Sequence, residues 1–240
     1  MKPQEISSKS VLNGNGKLNG HVNGNGHHHI EDDHVFNGKI DTPMIEGAFD
    51  VSDEEKIDRI ADKVADILSI LGLDLTDDSL RDTPHRVAKM YVKEVFSGLN
   101  PANKPNVQMF ANSYGYNRML VERDITLHSY CEHHLVPIIG KVHVAYISNG
   151  HVIGLSKINR IVRHFAKRPQ VQERLTEQIA RELKQVLQTE DVAVVVDAEH
   201  FCVITRGIED GQSSTVTSHF SGAFSDQKTR EEFYRQLELK

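Results

Sequence analysis

The chain has 240 residues, of which 38% are apolar, with a formal net charge of -6 and two cysteines. That length holds one sizeable domain with a tail, or two small domains, and the negative balance argues against non-specific nucleic-acid binding, which needs a basic face. Two cysteines make no disulfide framework. No apolar run is long enough to span a bilayer, and neither a signal-peptide hydrophobic region nor any Arg before Arg59 marks a targeting segment; the expected compartment is the cytoplasm.

Residues 1–50 read as a disordered extension, with Asn-Gly repeats over 13–26, the run His27-His28-His29 and the acidic patch Glu31-Asp32-Asp33. Such residues offer no face to bury, and the histidine triplet has nothing to hold it in a defined metal geometry. Removing residues 1 to about 48 is expected to leave turnover unchanged. A helical region is expected over 51–118. Ser52 can cap a helix with an acidic first turn, and Ile57, Ile60, Ala61, Val64, Ile67 and Leu68 recur at three and four, with Gly72 ending the helix. Asp82-Thr83-Pro84 opens another, burying Val87, Met90, Tyr91 and Val95. Arg86 and Lys89 lie on its polar flank, which by itself reads as a solvated face.

Residues 101–116 read as a loop, and from Met119 the period changes to two. Strands are expected over 120–127 and 138–147, the second alternating Val142, Val144 and Tyr146 against Lys141, His143 and Ala145. A helix over 157–167 follows, with Ser156 as its cap, and then a second helix from Pro169-Gln170 with Val171, Leu175, Ile179, Leu183 and Val186 on one face. Val192 starts a buried strand, 213–218 reads as another, and 228–239 as a short charged helix.

Both cysteines fall in histidine-bearing stretches, His128-Ser129-Tyr130-Cys131-Glu132-His133-His134 and Glu199-His200-Phe201-Cys202. Two buried cysteines can be no more than small hydrophobes. The C-x-x-H spacing with H-x-C downstream favours a metal instead, held by Cys131, His134 and Cys202. Three protein ligands with one open position is the pattern of a catalytic rather than a structural zinc site. If the strand from Val192 continues without a bulge, His200, Cys202 and Arg206 share a face.

Zinc so held lowers the pKa of its bound water to about 7. His133, beside a ligand but facing away from it, and His200 then suit proton transfer near neutral pH, with a merely hydrogen-bonded histidine as the plainer reading of each. Ser156, Lys157 and Arg160 cluster at a helix N-terminus, where free N–H groups favour phosphate. With Arg86 and Arg206 they suit a triphosphate. Glu173 is either a dipole partner for its helix or a carboxylate that accepts paired hydrogen bonds from a guanine edge.

From about Glu54 onward the chain resembles the GTP cyclohydrolase I family, type IA. The blocks that carry the resemblance are Asp82-Thr83-Pro84-His85-Arg86-Val87-Ala88-Lys89, Cys131-Glu132-His133-His134, Gly154-Leu155-Ser156-Lys157-Ile158-Asn159-Arg160, Arg168-Pro169-Gln170-Val171-Gln172-Glu173-Arg174-Leu175, and His200-Phe201-Cys202 with Arg206-Gly207. The resemblance implies an α+β tunnelling fold, an antiparallel β-sheet with helices on one side, preceded by the helical region, with the catalytic domain over 119–240. It implies zinc on Cys131, His134 and Cys202, proton transfer by His133 and His200, and a part for Ser156 in the sugar rearrangement. Purine binding falls to Glu173 with Gln172 beside it, and triphosphate contacts to Arg86, Lys157, Arg160 and Arg206. The implied substrate is GTP, opened at the guanine imidazole ring with release of formate and converted to dihydroneopterin triphosphate, the first step towards folate or tetrahydrobiopterin. The implied assembly is a toroidal homodecamer with sites between subunits, with no nucleic-acid or membrane partner.

Other enzymes of the same fold, a nitrile reductase or the second type of cyclohydrolase, lack this combination of C-x-x-H with H-x-C. A zinc deaminase would need P-C-x-x-C, which is absent. A regulatory paralogue without turnover would show losses among His133, His200, Glu173 or Arg206, all of which are present.

Overall fold

The computed structural model describes residues 40–238; the Asn-Gly repeats, the histidine triplet and the acidic patch lie outside the described residues. In chain order the helices and strands begin with α1 (Asp53–Ile70), α2 (Thr83–Met90), β1 (Met109–Ala111), β2 (Met119–Cys131), β3 (Pro137–Ile147) and β4 (His151–Ile153). There follow α3 (Leu155–Ala166), β5 (Pro169–Gln170), α4 (Gln172–Leu187), β6 (Val192–His200), α5 (Phe201–Ile204), β7 (Thr215–Phe220) and α6 (Gln227–Glu238).

The main sheet runs β5-β2-β3-β6-β7 and is antiparallel except for the two-residue pairing of β5 with β2. Period-two patterning makes it: Val142, Val144 and Tyr146 of β3 and Val192, Val194 and Val196 of β6 all enter one core. Helices α3 and α4 cover that face. Leu175, Ile179, Leu183 and Leu187 of α4 are fully buried against it, worth about 2 kcal/mol each as apolar burial. The opposite face is covered only in part, where Phe233 of α6 and Phe224 pack on Met119, Ala145, Ala193 and Val195. The α+β class and the antiparallel sheet under helices are as the sequence implies.

Local differences from the sequence reading have plain causes. Strand β2 extends to Cys131 because its pairing with β3 persists to Tyr130 opposite Pro137. Helix α3 begins at Leu155 with Gly154 at its cap, so Ser156 lies within the first turn and caps nothing. Pro169 and Gln170 are not helical; they form β5 beside Tyr130 and Cys131 before α4 begins. The loop over 101–116 contains β1, paired with β4 as a separate ribbon.

Ser52 does cap α1, accepting from the Glu55 N–H at 3.1 Å. Of the apolar stripe on α1, however, only Ile57 is buried, and Ile67, Ile70 and Leu71 are 56%, 84% and 70% exposed. The arm carrying α1 and α2 joins the body at Gly98, whose N–H donates to the Lys167 carbonyl at 2.8 Å. A β-carbon there would strike the carbonyls of His164 and Lys167, so only glycine permits the approach. Ahead of α1, residues 40–42 lie along α4. Gln178 donates to the Ile40 carbonyl at 2.7 Å and to Thr42 Oγ1 at 3.3 Å, and Arg181 pairs with Asp41.

Candidate metal centre and its surroundings

Strand β2 delivers Cys131 to the sheet's end, where the chain must reverse within six residues to start β3. The reversal is held by the Leu135 N–H on the Cys131 carbonyl and the Cys131 N–H on the Val136 carbonyl, each at 2.9 Å. Leu135 takes a left-handed conformation, φ 54°. Cys131 stays buried while His133 and His134 emerge into solvent.

Cys202 arrives from the other side of the sheet, by a route unlike the one expected. Strand β6 ends at His200, opposite Ile138. The next ladder position would face Pro137, which has no N–H to give, and the chain turns helical over 201–204 instead. The shared face of His200, Cys202 and Arg206 inferred from strand parity is therefore not how the site forms; one helical turn swings Cys202 back towards Cys131.

The ligand atoms of Cys131, His134 and Cys202 all lie within 4.8 Å of one another, so these three residues could hold a metal ion. Ligands 2.0–2.3 Å from a tetrahedral ion stand about 3.5 Å apart, so closing the widest pair takes a shift of about 1 Å. The donor set fits as well. Burial, and then the neighbouring Cys131, push the Cys202 thiol up, and a cation between the two sulfurs removes that mutual penalty. His134 presents Nδ1 at 4.0 Å from Cys131 Sγ, while its Nε2 meets Arg206 Nη1 at 2.6 Å. Coordination through Nδ1 puts the ring proton on Nε2, and Arg206, a donor only, must then turn away towards other acceptors.

His133 Nδ1 is 3.6 Å from Cys131 Sγ, and its Nε2 is 3.7 Å from Glu132 Oε1. His200 Nε2 meets Gln172 Oε1 at 2.7 Å. The Gln172 amide cannot be reversed, because its nitrogen donates to the carbonyls of Val196 at 3.1 Å and Thr215 at 2.8 Å. Its oxygen must accept, so His200 Nε2 carries the hydrogen and Nδ1 keeps the lone pair. Burial lowers the His200 pKa, opposed by the Glu173 carboxylate nearby. Gln172, fully enclosed, thus aims His200, while Glu173 beside it on the first turn of α4 is exposed.

The cationic residues are not gathered here within one chain. Ser156, Lys157 and Arg160 sit at the start of α3, where Asn159 Nδ2 donates to Glu122 at 3.2 Å. Glu122 precedes Cys131 by nine residues on β2, roughly 30 Å of strand. Lys157 donates to the Asn106 carbonyl at 2.8 Å, and Arg160 opens onto a cleft that it lines with Arg163, His164 and Lys167. Arg86 is on the arm, paired with Asp82 at 3.4 Å. Of the expected phosphate contacts only Arg206 reaches the metal centre.

Sequence reading passed over Gln170, Arg174 and Gln178. They recur at intervals of four, which on a helix with an apolar opposite face reads as a solvated flank; instead all three are buried.

Comparison with known proteins agrees with the blocks that first suggested a family. The GTP cyclohydrolase I family profile matches residues 60–238. The chain is 60% identical over 210 residues to GTP cyclohydrolase 1 of Flavobacterium johnsoniae, covering 88% of this chain and 94% of that protein. It is 53% identical over 199 residues to the Vibrio parahaemolyticus protein of the same name, covering 82% and 91%. Against the Shewanella baltica protein of that name it is 51% identical over 198 residues, covering 82% and 91%. With the sheet, its two covering helices and the Cys-His-Cys group all in place, the chain belongs to the GTP cyclohydrolase I family, whose fold is the tunnelling fold.

Proposed function

We propose that this chain is a zinc-dependent GTP cyclohydrolase I: it takes GTP and water to formate and 7,8-dihydroneopterin triphosphate, the first step of pterin synthesis. The observation that carries the reading is the Cys131, His134, Cys202 group standing beside a His200 whose tautomer is set by Gln172.

Cys131, His134 and Cys202 would hold zinc, which when bound supplies a Lewis acid and water activated at neutral pH. The remaining work falls to this chain's own groups. Glu173, exposed at the head of α4, accepts paired hydrogen bonds from the guanine edge and fixes the imidazole ring over the centre. His200 Nδ1, the free lone pair, receives a proton as water adds to the ring carbon C8, and His133 gives one to the departing ring nitrogen. Opening and deformylation release formate. Ser156 assists the ribose rearrangement that precedes closure to the pterin, and Arg206, Lys157, Arg160 and Arg86 bind the triphosphate.

Those last groups require more than one chain, and the family's toroidal homodecamer with sites between subunits supplies it. Two features support that assembly. The outer edge of β7 and most of the outer edge of β2 have no strand partner among the described residues, and exposed edges seek pairing. The apolar stripe of α1 is open, and such a face is covered in a stable assembly. We assign residues 119–240 to the catalytic domain and 51–118 to the helical arm, and place the enzyme in the cytoplasm; no described helix is long and apolar enough to cross a membrane.

The test incubates the zinc-loaded protein with GTP and follows formate and the fluorescent oxidised pterin, beside a Cys202→Ser variant. Both products from the parent and neither from the variant are expected. GTP bound and nothing released would leave a regulatory protein without turnover.

A further inference from the structure

Buried polar groups run in single file from the metal turn to the first described residues. Arg174 is 6% exposed, and its guanidinium makes three hydrogen bonds within the chain. Nη2 pairs with Glu132 Oε2 and donates to the Pro169 carbonyl at 3.0 Å, and Nε donates to Gln170 Oε1 at 3.1 Å. Gln170, fully buried, donates to the Phe165 carbonyl at 2.9 Å and to Gln178 Oε1 at 2.8 Å. Gln178, equally buried, donates to Ile40 and Thr42 of the strap over residues 40–42.

The direction of this file is determined from its far end. The Ile40 carbonyl can only accept, so the Gln178 nitrogen faces the strap and its oxygen faces Gln170. Gln170 must therefore give its nitrogen to Gln178 and keep its oxygen for Arg174. From Arg174 to the strap every bond points the same way, the arrangement in which each polarises the next.

At the near end the file meets Glu132, the residue between Cys131 and His133. Its side chain pairs with Arg174, its N–H donates to the Gln170 carbonyl at 3.0 Å, and its other carboxylate oxygen faces His133. Backbone and side chain of one residue are thus tied to the same buried pair. The turn itself is exposed at His133, His134 and Leu135, so Glu132 is where its middle is fastened to the body. A buried ion pair contributes little net stability compared with an apolar filling, whereas groups that orient metal ligands from behind affect metal affinity strongly.

We propose that Glu132 and Arg174 are positioning residues: their pair holds the turn from Cys131 to His134 in the geometry that receives the metal, and Gln170, Gln178 and the strap fasten Arg174 in place. The inference rests on the metal reading of the site given above. It gives the strap a part in the site, whereas the sequence pattern alone places residues 40–42 in a dispensable extension.

The test uses the full chain as the parent and as Glu132→Gln, Arg174→Met, the double variant and Gln178→Met. Zinc affinity is measured by competition with a chromogenic chelator, and kcat and KM for GTP on the zinc-saturated proteins. Glu132→Gln and Arg174→Met should each weaken zinc binding about 10-fold or more and lower kcat, with KM within about twofold because neither residue is itself a proposed purine or phosphate contact. The double variant should be no worse than the poorer single one, and Gln178→Met should show a smaller loss of the same kind. If Arg174→Met fails to fold, Glu132→Gln, which keeps the side chain's shape, decides alone. A parent that binds zinc while folded Glu132→Gln binds it equally well overturns this inference and leaves the site reading standing. A parent that takes up no zinc overturns the metal reading and this inference together.

Discussion

The two ends of β2 differ in how finished they are. At the Cys131 end, ligand atoms from two distant stretches already converge, Gln172 fixes the tautomer of His200, and Glu132 is clamped from α4. At the other end Ser156 and Arg160 stand exposed, and Lys157 holds only the Asn106 carbonyl. The metal end is preorganised within one chain, while the α3 end presents cationic groups that face outward. Under the proposed function, a single chain supplies two half-sites, and each takes its complement from another copy.

The comparison predicts unequal responses to substitution. The largest follows Cys202→Ser or His134→Ala, which should lower kcat by about 10³-fold or more with loss of bound zinc, since a centre with two ligands neither holds the ion nor leaves one defined open position. Metal analysis and formate release check it; near-normal turnover without zinc would remove the metal end from the mechanism. At the α3 end, Arg160→Ala should cost about 10- to 100-fold in kcat/KM, through the loss of one charge-assisted phosphate contact worth roughly 1.5–3 kcal/mol. Its zinc content and fold should be unchanged, because the residue touches nothing at the metal end. A fall in zinc content would show that the two ends are not separate.

Gln172→Leu sharpens the comparison within the metal end. It removes the acceptor that sets the His200 tautomer, and should lower kcat by about 10-fold or more at constant zinc content, in line with the contribution of a positioned acid or base. Equal kcat in this variant would mean that His200 needs no such aim.

Between the two ends lies His164 on α3, whose Nε2 meets Arg168 Nη2 at 2.8 Å. Burial first, and then the Arg168 charge, lower its pKa to about 4. A histidine with a folded pKa below its unfolded value near 6.5 binds its proton preferentially when unfolded. Its contribution to stability is present above pH 6.5 and is lost as pH falls towards 4, by up to roughly 3 kcal/mol. Denaturation at a series of pH values with His164→Gln as control should show a shallower acid loss in the variant; parallel curves would contradict this. The smallest effect concerns the strap. Shortening the chain through residue 48 should weaken zinc retention a few-fold, against the sequence expectation of no effect, whereas shortening through residue 39 should not.

Much of this was legible beforehand because period-two and period-3.6 patterning is a direct consequence of one-sided burial. Val142, Val144 and Tyr146 announced β3, and Leu175, Ile179 and Leu183 announced the inner face of α4. The convergence of Cys131, His134 and Cys202 was legible from residue type and spacing, and the family from the five blocks. What escaped depended on partners far away in sequence. The helical turn that delivers Cys202 depends on Pro137, more than sixty residues earlier, and no local pattern at 200–206 encodes it. The inward direction of Gln170, Arg174 and Gln178 goes with a strap about 130 residues earlier, and no local pattern marks it. The separation of Lys157 and Arg160 from the metal end was hidden because the family resemblance collects site residues without saying where each lies in the fold.

The most direct test mixes two inactive variants. Cys202→Ser lacks the metal half and Lys157→Ala/Arg160→Ala lacks the phosphate half, and the two are unfolded and reassembled together. If each site joins the metal end of one chain to the α3 end of another, random mixing restores about a quarter of the sites to the native set, and pterin formation should return to about that fraction of the parent rate. If the mixture is no more active than its components while each forms normal assemblies with the parent chain, the site is completed within one chain and the division into two half-sites is wrong.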